Sequence, residues 1–314
     1  MTRKIAFLVS DNLLTDLEIG SDGGPNKLRD DVFELDEQVG KLKPAFAAAG
    51  LSLEIVRWRE IAKTASDYEA VLPLMVWDYF EGNEAAFMAA MAKAAPQTLL
   101  LNGYDVLKWN ANKSYLDELE ARGAPVIPAI TVARITPDNV AAAFEEFGAD
   151  KIVIKPQIGG GAWRQVLLNK GEAFPNKEVL PPEAAIIQPF LPSVVEEGEY
   201  SLLYFGGEFS HAVLKQAKDG DYRIQSIYGG SETTYDATPQ DRAAARAVLD
   251  VLDFTPLYAR VDLLRGLDGG LKLIELEMLE PYLYLTHAQG EGADNLGAQN
   301  FVKALVKRLD REAA

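Results

Sequence analysis

The chain contains no cysteine and only two histidines among its 314 residues. The absence of cysteine excludes disulfide bonds and catalysis by a thiolate, and it allows the cytoplasmic location that we expect. Two histidines, His211 and His287, supply a zinc site or a serine–histidine triad poorly. Candidate functional residues are therefore of other types.

Long apolar runs are also missing, so no segment is long enough for a transmembrane helix. The apolar stretch at residues 5–9 is too brief for a signal peptide and is typical of a first strand. Basic residues are fewer than acidic ones. The chain has 31 Lys and Arg and 47 Asp and Glu, which gives a formal net charge of −16. This charge argues against nucleic-acid partners and against an anionic membrane surface. An anionic small substrate would have to be held by a few local lysines, arginines and metal ions.

The first part of the chain alternates between strand and helix patterns, which predicts an open α/β domain over roughly its first 100 residues. The predicted strands are 5–9, 51–58, 70–77 and 98–101, and the predicted helices are 31–50 and 85–95. Ligands of such sheets bind beyond the carboxyl ends of the strands. The segments 10–27 and 76–81 follow strands in this way, and they are the candidate substrate contacts.

A hairpin near the C-terminus carries three carboxylates on one face. Residues 258–264 and 271–278 alternate with period two, and a glycine-rich turn joins them. Folding at this turn brings Asp262 close to Glu275, with Glu277 on the same face. Like charges that face each other destabilise a ribbon, so a metal ion such as Mg²⁺ would explain them. A solvated acidic face is the alternative, and the hairpin alone leaves both open.

Two lysines and a glycine run are the next candidates. The predicted strand at 151–155 ends in Lys155 and is followed by Gly159, Gly160 and Gly161, a pattern that lets backbone amides approach phosphates. The run lacks the Gly-Lys-Ser/Thr ending of a P-loop and the helix-opening GxGxxG of a Rossmann fold. A turn without a ligand explains the glycines equally well, and Lys113 taken alone is typical of a solvated surface lysine.

The later strands add basic and hinge residues. A strand at 184–191 runs into Pro189, which indicates a sheet edge or a hinge. Lys215 lies near the end of a returning hairpin strand, and Arg223 precedes a pair of glycines. Arg223 is either an ordinary surface arginine or a clamp for a phosphate or carboxylate.

The order of these features resembles the ATP-grasp superfamily, within it the glutathione synthetase and RimK-like branch, over about residues 105–290. The runs at 205–215 and 275–281 are similar to a bacterial subgroup that includes the O-ureido-serine cyclases of cycloserine biosynthesis. The resemblance implies an α/β fold, with an N-terminal substrate domain at 1–106, a central and lid subdomain at 107–190, and a C-terminal subdomain with the metal site at 191–314.

The resemblance also implies roles for individual residues, beginning with ATP. Lys113 and Lys155 would contact the phosphates under a mobile loop at Gly159, Gly160 and Gly161. The adenine pocket would be lined by Ile187, Gln188, Pro189, Phe190 and Leu191, with main-chain groups of Gln188 and Phe190 reading the base. Glu199 would bind the ribose, with Glu196 as the competing candidate.

At the reaction centre, the resemblance implies that Lys215 and Arg223 hold the γ-phosphate or an acyl phosphate, and Arg260 is added as a catalytic candidate. Asp262, Glu275 and Glu277 would bind two Mg²⁺ ions, with Mn²⁺ as the alternative ion. The family usually has asparagine where Glu277 stands, so the metal geometry is expected to differ here.

Such enzymes are ATP-dependent ligases that activate a carboxylate as an acyl phosphate, which an amine then attacks with release of ADP and phosphate. The expected partners are ATP and a small amino-acid-like substrate, in a homodimer or homotetramer. Two alternatives stay open: an intramolecular cyclase on the same scaffold, and a nucleotide-binding module without catalysis.

Overall fold

A computed structural model describes residues 3–14 and 28–312 of the chain. The elements of its first unit are β1 (Arg3–Val9), α1 (Phe33–Ala48), β2 (Leu51–Arg57), α2 (Ile61–Thr64), β3 (Ala70–Met75), α3 (Glu84–Ala94) and β4 (Leu99–Leu100). The four strands pair in parallel in the order β2-β1-β3-β4. The predicted open α/β arrangement is therefore confirmed. Of the predicted substrate segment 10–27, residues 15–27 lie outside the described residues.

Residues 5–9 of strand β1 are buried on both faces of the sheet, which explains their unbroken apolar sequence. Ile5, Phe7 and Val9 pack in one cluster with the inner face of α1. Ala6 and Leu8 point the other way, into a second cluster that α2 and α3 cover. The sheet is thereby fixed between two helical layers, and the carboxyl ends of its strands are left to carry loops.

The second unit is an antiparallel sheet with one covering helix. Its elements are α4 (Tyr104–Asn110), α5 (Tyr115–Ala121), β5 (Ile130–Val132), α6 (Pro137–Phe147), β6 (Lys151–Pro156), β7 (Val166–Asn169) and β8 (Ala185–Pro189). The strand order is β5-β8-β6-β7. The sheet edge expected at Pro189 is wrong, because β8 pairs on both sides and Pro189 is its last residue. The alternative, a hinge at Pro189, stays a prediction.

The third unit contains the carboxylate hairpin. Its elements are α7 (Ser193–Glu196), β9 (Glu199–Phe205), β10 (Glu208–Gln216), β11 (Ser231–Thr234), α8 (Pro239–Asp250), β12 (Tyr258–Arg265), β13 (Leu271–Glu277) and α9 (Leu296–Glu312). The antiparallel order is β11-β10-β9-β12-β13. The register pairs Asp262 with Glu275 and Arg260 with Glu277, so the predicted approach of Asp262 to Glu275 is confirmed.

The C-terminal helix α9 returns to the first unit. Its apolar face joins the cluster around α1, where the rings of Phe301 and Phe46 lie 6.2 Å apart. Among the described residues, no helix has both the length and the apolar character needed to cross a membrane. The predicted boundaries at residues 106 and 190 fall between the three sheets, but the division into domains stays a prediction.

Two buried asparagines join the first and second units to the hairpin. Asn102 donates to the carbonyls of Tyr258 (2.9 Å) and Met278 (2.8 Å) and accepts from the amide of Leu257 (2.6 Å). Asn110 accepts from the amides of Met278 (2.7 Å) and Leu279 (3.0 Å). A side-chain amide can satisfy both a backbone donor and a backbone acceptor. These bonds fix the end of the carboxylate strand against the rest of the molecule.

Candidate active site

A cavity of about 220 Å³ lies where the three units meet. Every predicted site residue except Ile187 and Glu196 lines it, although these residues come from distant parts of the sequence. Ile187 is fully buried in the core of the second unit instead. Glu196 is exposed at the end of α7. Glu199, the other candidate for the ribose, is buried, and its carboxylate pairs with Lys215 at 2.5 Å.

One end of the cavity is an apolar slot beside the end of β8. Side chains from several elements form its walls: Ile127, Val153, Leu191, Val194, Leu264 and Ile274. The amide of Phe190 donates to the carbonyl of Lys151 at 3.0 Å, so only the Phe190 carbonyl is left to contact a base. The expectation that main-chain groups of Phe190 read the base is narrowed to that oxygen. An apolar slot with a few backbone polar groups suits a flat heterocycle.

Two lysines and the glycine run line the middle of the cavity. Lys113 is buried, donates to the carbonyl of Gly159, and lies 3.0 Å from Glu275. Burial lowers the pKa of Lys155 to about 8, an effect that Lys113 adds to and that Glu275 and Glu199 oppose. The glycine run is therefore in contact with Lys113, and Lys155 lines the same cavity. Cationic groups of this kind suit phosphate oxygens.

The glycine run is held from two sides. A side chain at Gly160 would place its Cβ 3.1 Å from the ring of Phe80, which belongs to the first unit. The Trp163 ring lies 6.3 Å from the same Phe80 ring. On the other side, the Tyr228 hydroxyl donates to the carbonyl of Gly161 at 3.3 Å. The glycine loop is therefore in contact with both flanking units.

The carboxylate hairpin forms the opposite wall, and its acids are paired with cations. Asp262 receives Arg260 Nε at 3.0 Å and the Ser201 hydroxyl at 2.5 Å, and Lys215 Nζ lies 3.6 Å away. Arg260 also pairs with Glu277. Burial by itself raises the pKa of Asp262. The positive charges of Arg260 and Lys215 outweigh that effect and hold the pKa of Asp262 below its usual range.

The structure does not gather the predicted metal ligands into a ready cluster. Within residues 3–14 and 28–312, no three acidic, histidine or cysteine side chains are placed to hold a metal ion together. The donor chemistry nevertheless fits a divalent cation, because Asp262, Glu275 and Glu277 are hard oxygen ligands on one cavity wall. Burial raises the pKa of Glu277 well above its usual range, and the neighbouring carboxylates add to this effect. Arg260 acts in the opposite direction but does not outweigh them. A bound cation would relieve this crowding of acids.

Arg223 lines the cavity, and its side chain is held by contacts with residues close to it in the sequence. Its guanidinium pairs with Asp221, with Nη2 at 2.7 Å from the carboxylate, and it stacks over the Tyr228 ring at 3.9 Å. The arginine is therefore held near the glycine loop, because Tyr228 also contacts Gly161.

The sequence analysis missed several lining residues. Arg29 pairs with Asp31 at 2.8 Å and lies over the Trp77 ring, and Glu34 accepts from the Ser226 hydroxyl at 2.9 Å. Burial raises the pKa of Glu34 to about 7. Glu280 and Tyr284 also line the cavity and were not predicted. The predicted segment 76–81 included Trp77 and Tyr79, but no motif indicated Glu34 or Tyr284.

Comparisons with known proteins agree with this architecture. Residues 5–102 match the family model for the N-terminal domain of D-cycloserine synthetase DcsG. Over 294 residues the chain is 30% identical to the cycloserine biosynthesis protein DcsG of Streptomyces lavendulae, covering 88% of this chain and 95% of that protein.

Solved structures give the same result. The crystal structure of D-cycloserine synthetase DcsG matches with a TM-score of 0.79 and 28% identity, over 98% of this chain and 99% of that one. The ATP complex of D-alanine–D-alanine ligase from Bacillus anthracis shares the fold, with a TM-score of 0.65 and 14% identity over 99% and 98% of the two chains. The chain therefore belongs to the DcsG family of ATP-grasp enzymes, and it is an ADP-forming ligase that joins a carboxylate to an amine.

Proposed function

We propose that this ligase closes a ring within one small amino-acid-like substrate, giving a product of the D-cycloserine class. The observation that supports the proposal is the cavity itself, which places an apolar slot and two lysines opposite a carboxylate hairpin. The similarity to DcsG along nearly the whole chain favours ring closure over the joining of two molecules. In D-cycloserine, a carboxyl-derived carbon is bonded to a ring nitrogen, which is the bond that such a ligase makes.

The proposed nucleotide contacts are those that the ATP-grasp resemblance implies, and the residues named for them line the cavity, except Glu196. The adenine would lie in the apolar slot at Gln188, Pro189, Phe190 and Leu191, and the phosphates would extend toward Lys113, Lys155 and the glycine run. Glu199 and Glu196 both stay candidates for the ribose. Substituting Glu199 and Glu196 separately by alanine can assign this contact. Only loss of the residue that binds the ribose would weaken ATP binding directly.

The proposed metal site consists of Asp262, Glu275 and Glu277, with two Mg²⁺ ions and Mn²⁺ as a substitute. Asp262, Glu275 and Glu277 would hold the Mg²⁺, which would supply positive charge to neutralise phosphate oxygens. For this to happen, Glu275 and Glu277 must exchange their contacts with Lys113 and Arg260 for the ions. The freed Lys113 would then turn to the phosphates, which couples metal binding to nucleotide binding.

The residues of the chain act by positioning and by charge. Lys155 and Arg223 would hold the γ-phosphoryl group in line with a substrate carboxylate oxygen, and Lys215 and Arg260 would stabilise the acyl phosphate that results. The substrate nitrogen then attacks the carboxyl carbon and phosphate leaves. No protein nucleophile is required, which agrees with the absence of cysteine from the chain.

The partners in this proposal are ATP and the small substrate. Assembly into a homodimer or homotetramer and a cytoplasmic location stay predictions.

The experiment is to measure phosphate release from ATP and Mg²⁺ with a substrate panel, followed by mass spectrometry of the products. The panel contains both enantiomers of O-ureidoserine, with serine, alanine and other small amino acids. Release that depends on one compound, with a product lighter than that compound, supports ring closure. A product formed from two panel members would instead show intermolecular ligation, and ATP binding without turnover on the panel would contradict the proposal.

A matched pair of variants tests the metal site. Glu275→Gln keeps the shape of the side chain but removes a charged ligand, and it should lower turnover about 100-fold. Glu145→Gln, on the exposed face of α6, is the control and should leave turnover unchanged. Unchanged turnover in Glu275→Gln would show that the metal assignment is wrong.

A further inference from the structure

Tyr284 lies in the cavity beside two of the cations that the reaction uses. Its ring centre is 5.8 Å from Lys215 Nζ and 5.4 Å from Arg260 Cζ. The side chain is only 7% exposed, and it lines the cavity. Its hydroxyl makes no hydrogen bond within the part of the chain that the structure describes. The hydroxyl oxygen is not one of the fully buried side-chain atoms that lack a partner, so it keeps contact with the open cavity, where it can donate to a ligand.

The backbone at Tyr284 is held in an unusual conformation. Its φ of 48° and ψ of 38° lie in the left-handed region, which a bulky aromatic residue rarely adopts. The Tyr282 ring packs edge-on at 4.8 Å, and the amide of His287 donates to the Tyr284 carbonyl at 3.0 Å. Strained backbone of this kind is found most often at functional sites, where the surrounding structure fixes it. Here the aromatic ring lies near both Lys215 and Arg260.

We propose that the Tyr284 hydroxyl donates a hydrogen bond to the carbonyl oxygen of the activated substrate while that oxygen carries negative charge. This inference rests on the proposed function, since it assigns a residue to the second step of the same reaction. A donor placed where charge develops accelerates acyl transfer. Lys215 and Arg260 are already paired with Glu199, Asp262 and Glu277, whereas the Tyr284 hydroxyl is a neutral donor without such a partner among the described residues.

The step balances without any further reactant. In the first half-reaction, a carboxylate oxygen bonds to the γ-phosphorus, and the bond to the bridging oxygen breaks, so ADP leaves with the electron pair. In the second, the nitrogen lone pair bonds to the carboxyl carbon, and the carbonyl π electrons move to oxygen. When they return, the bond to phosphate breaks, phosphate leaves with its electron pair, and the nitrogen loses its proton to solvent. Tyr284 keeps its own proton throughout.

The electrostatics of the site agree with a donor that is not an acid. Burial raises the pKa of Tyr284 above its usual range, although Lys215 and Arg260 oppose this effect. The phenol is therefore protonated at neutral pH. Tyr79, whose neighbours are Glu280, Glu275 and Glu277, lies on the acidic side of the cavity instead.

The test compares Tyr284→Phe with Tyr282→Phe. The first variant removes only the hydroxyl and keeps the ring near Lys215 and Arg260. The second removes a hydroxyl from the adjacent ring, where it donates to Glu37 at 2.8 Å. Two rates are measured with the panel member that wild-type enzyme turns over, O-ureidoserine being the first choice. One is product formation in a single turnover, and the other is positional isotope exchange in ATP labelled at the β,γ-bridging oxygen.

Isotope exchange reports reversible formation of the acyl phosphate, which precedes the proposed role of Tyr284. We expect Tyr284→Phe to form product about 100-fold more slowly, with isotope exchange and the KM for ATP within about threefold of wild type. Tyr282→Phe should keep both rates. Product formation near the wild-type rate in Tyr284→Phe, or an equal loss of isotope exchange, would overturn the inference. No turnover by wild-type enzyme would instead contradict the proposed function.

Discussion

Raising the pH should weaken ATP binding through Lys155. Burial lowers the pKa of this lysine to about 8. In the protein without ATP, the Lys155 side chain therefore loses its positive charge as the pH rises through that value. Bound phosphates favour the charged form and raise the pKa, so ATP binding takes up a proton above pH 8. The contribution of Lys155 to affinity is therefore complete below pH 8 and is lost progressively above it.

The magnitude follows from the fraction of charged lysine. At pH 9, about one unit above the pKa in the free protein, roughly a tenth of the molecules carry the charge. The apparent Kd for ATP should then be about tenfold higher than below pH 8, which corresponds to about 1.4 kcal/mol. Lys215 should not contribute over this range, because Asp262 and Glu199 outweigh its burial and raise its pKa.

The assay is isothermal titration of ATP at constant excess Mg²⁺ between pH 7 and pH 9, in two buffers of different ionisation enthalpy. The matched variant is Lys155→Arg, whose guanidinium stays charged over the whole range. Comparing the ratio of Kd values within each protein removes any general loss of affinity in the variant. A wild-type Kd that does not change with pH, or an equal pH slope in Lys155→Arg, would refute the reasoning.

Two further predictions concern the loop and the backbone around the site. Phe80→Ala removes the ring that contacts Gly160 and Trp163. We therefore expect faster tryptic cleavage after Arg164 and about a tenfold rise in the KM for ATP. Protection from trypsin equal to that of wild type would contradict this prediction. Gly198→Ala should lower the free energy of unfolding by about 2–4 kcal/mol in urea titrations, because a Cβ there would lie 2.4 Å from the Lys215 carbonyl at a φ of 111°. Gly123→Ala, at a φ of 94° with open space around it, is the control and should cost only about 1 kcal/mol.

Much of the fold could be predicted because its signals are local. The period-two alternation around the glycine turn indicated the hairpin, and the register confirmed that Asp262 and Glu275 are partners. The helix of residues 33–48 and the strands that flank it were likewise evident from their apolar pattern. Helix α4 was missed, since its short sequence carries no clear amphipathic stripe.

The parts of the site that could not be predicted depend on distant contacts. The position of Tyr284 in the cavity depends on a left-handed backbone conformation and on two cations from distant strands. The position of Glu34 depends on its hydrogen bond with Ser226. No local pattern encodes such pairings. The ion pairs of Asp262 and Glu277 with Arg260 were also unforeseen, although all three residues had been singled out as candidates.

The central claim is that ATP activates the substrate carboxylate as an acyl phosphate. The most direct measurement labels both carboxylate oxygens of the active panel compound with ¹⁸O and follows the label into the released phosphate by mass spectrometry. The account predicts one ¹⁸O atom in each phosphate, because the attacking carboxylate oxygen leaves with phosphorus when nitrogen attacks the carbon. Phosphate free of ¹⁸O, released together with product, would contradict it.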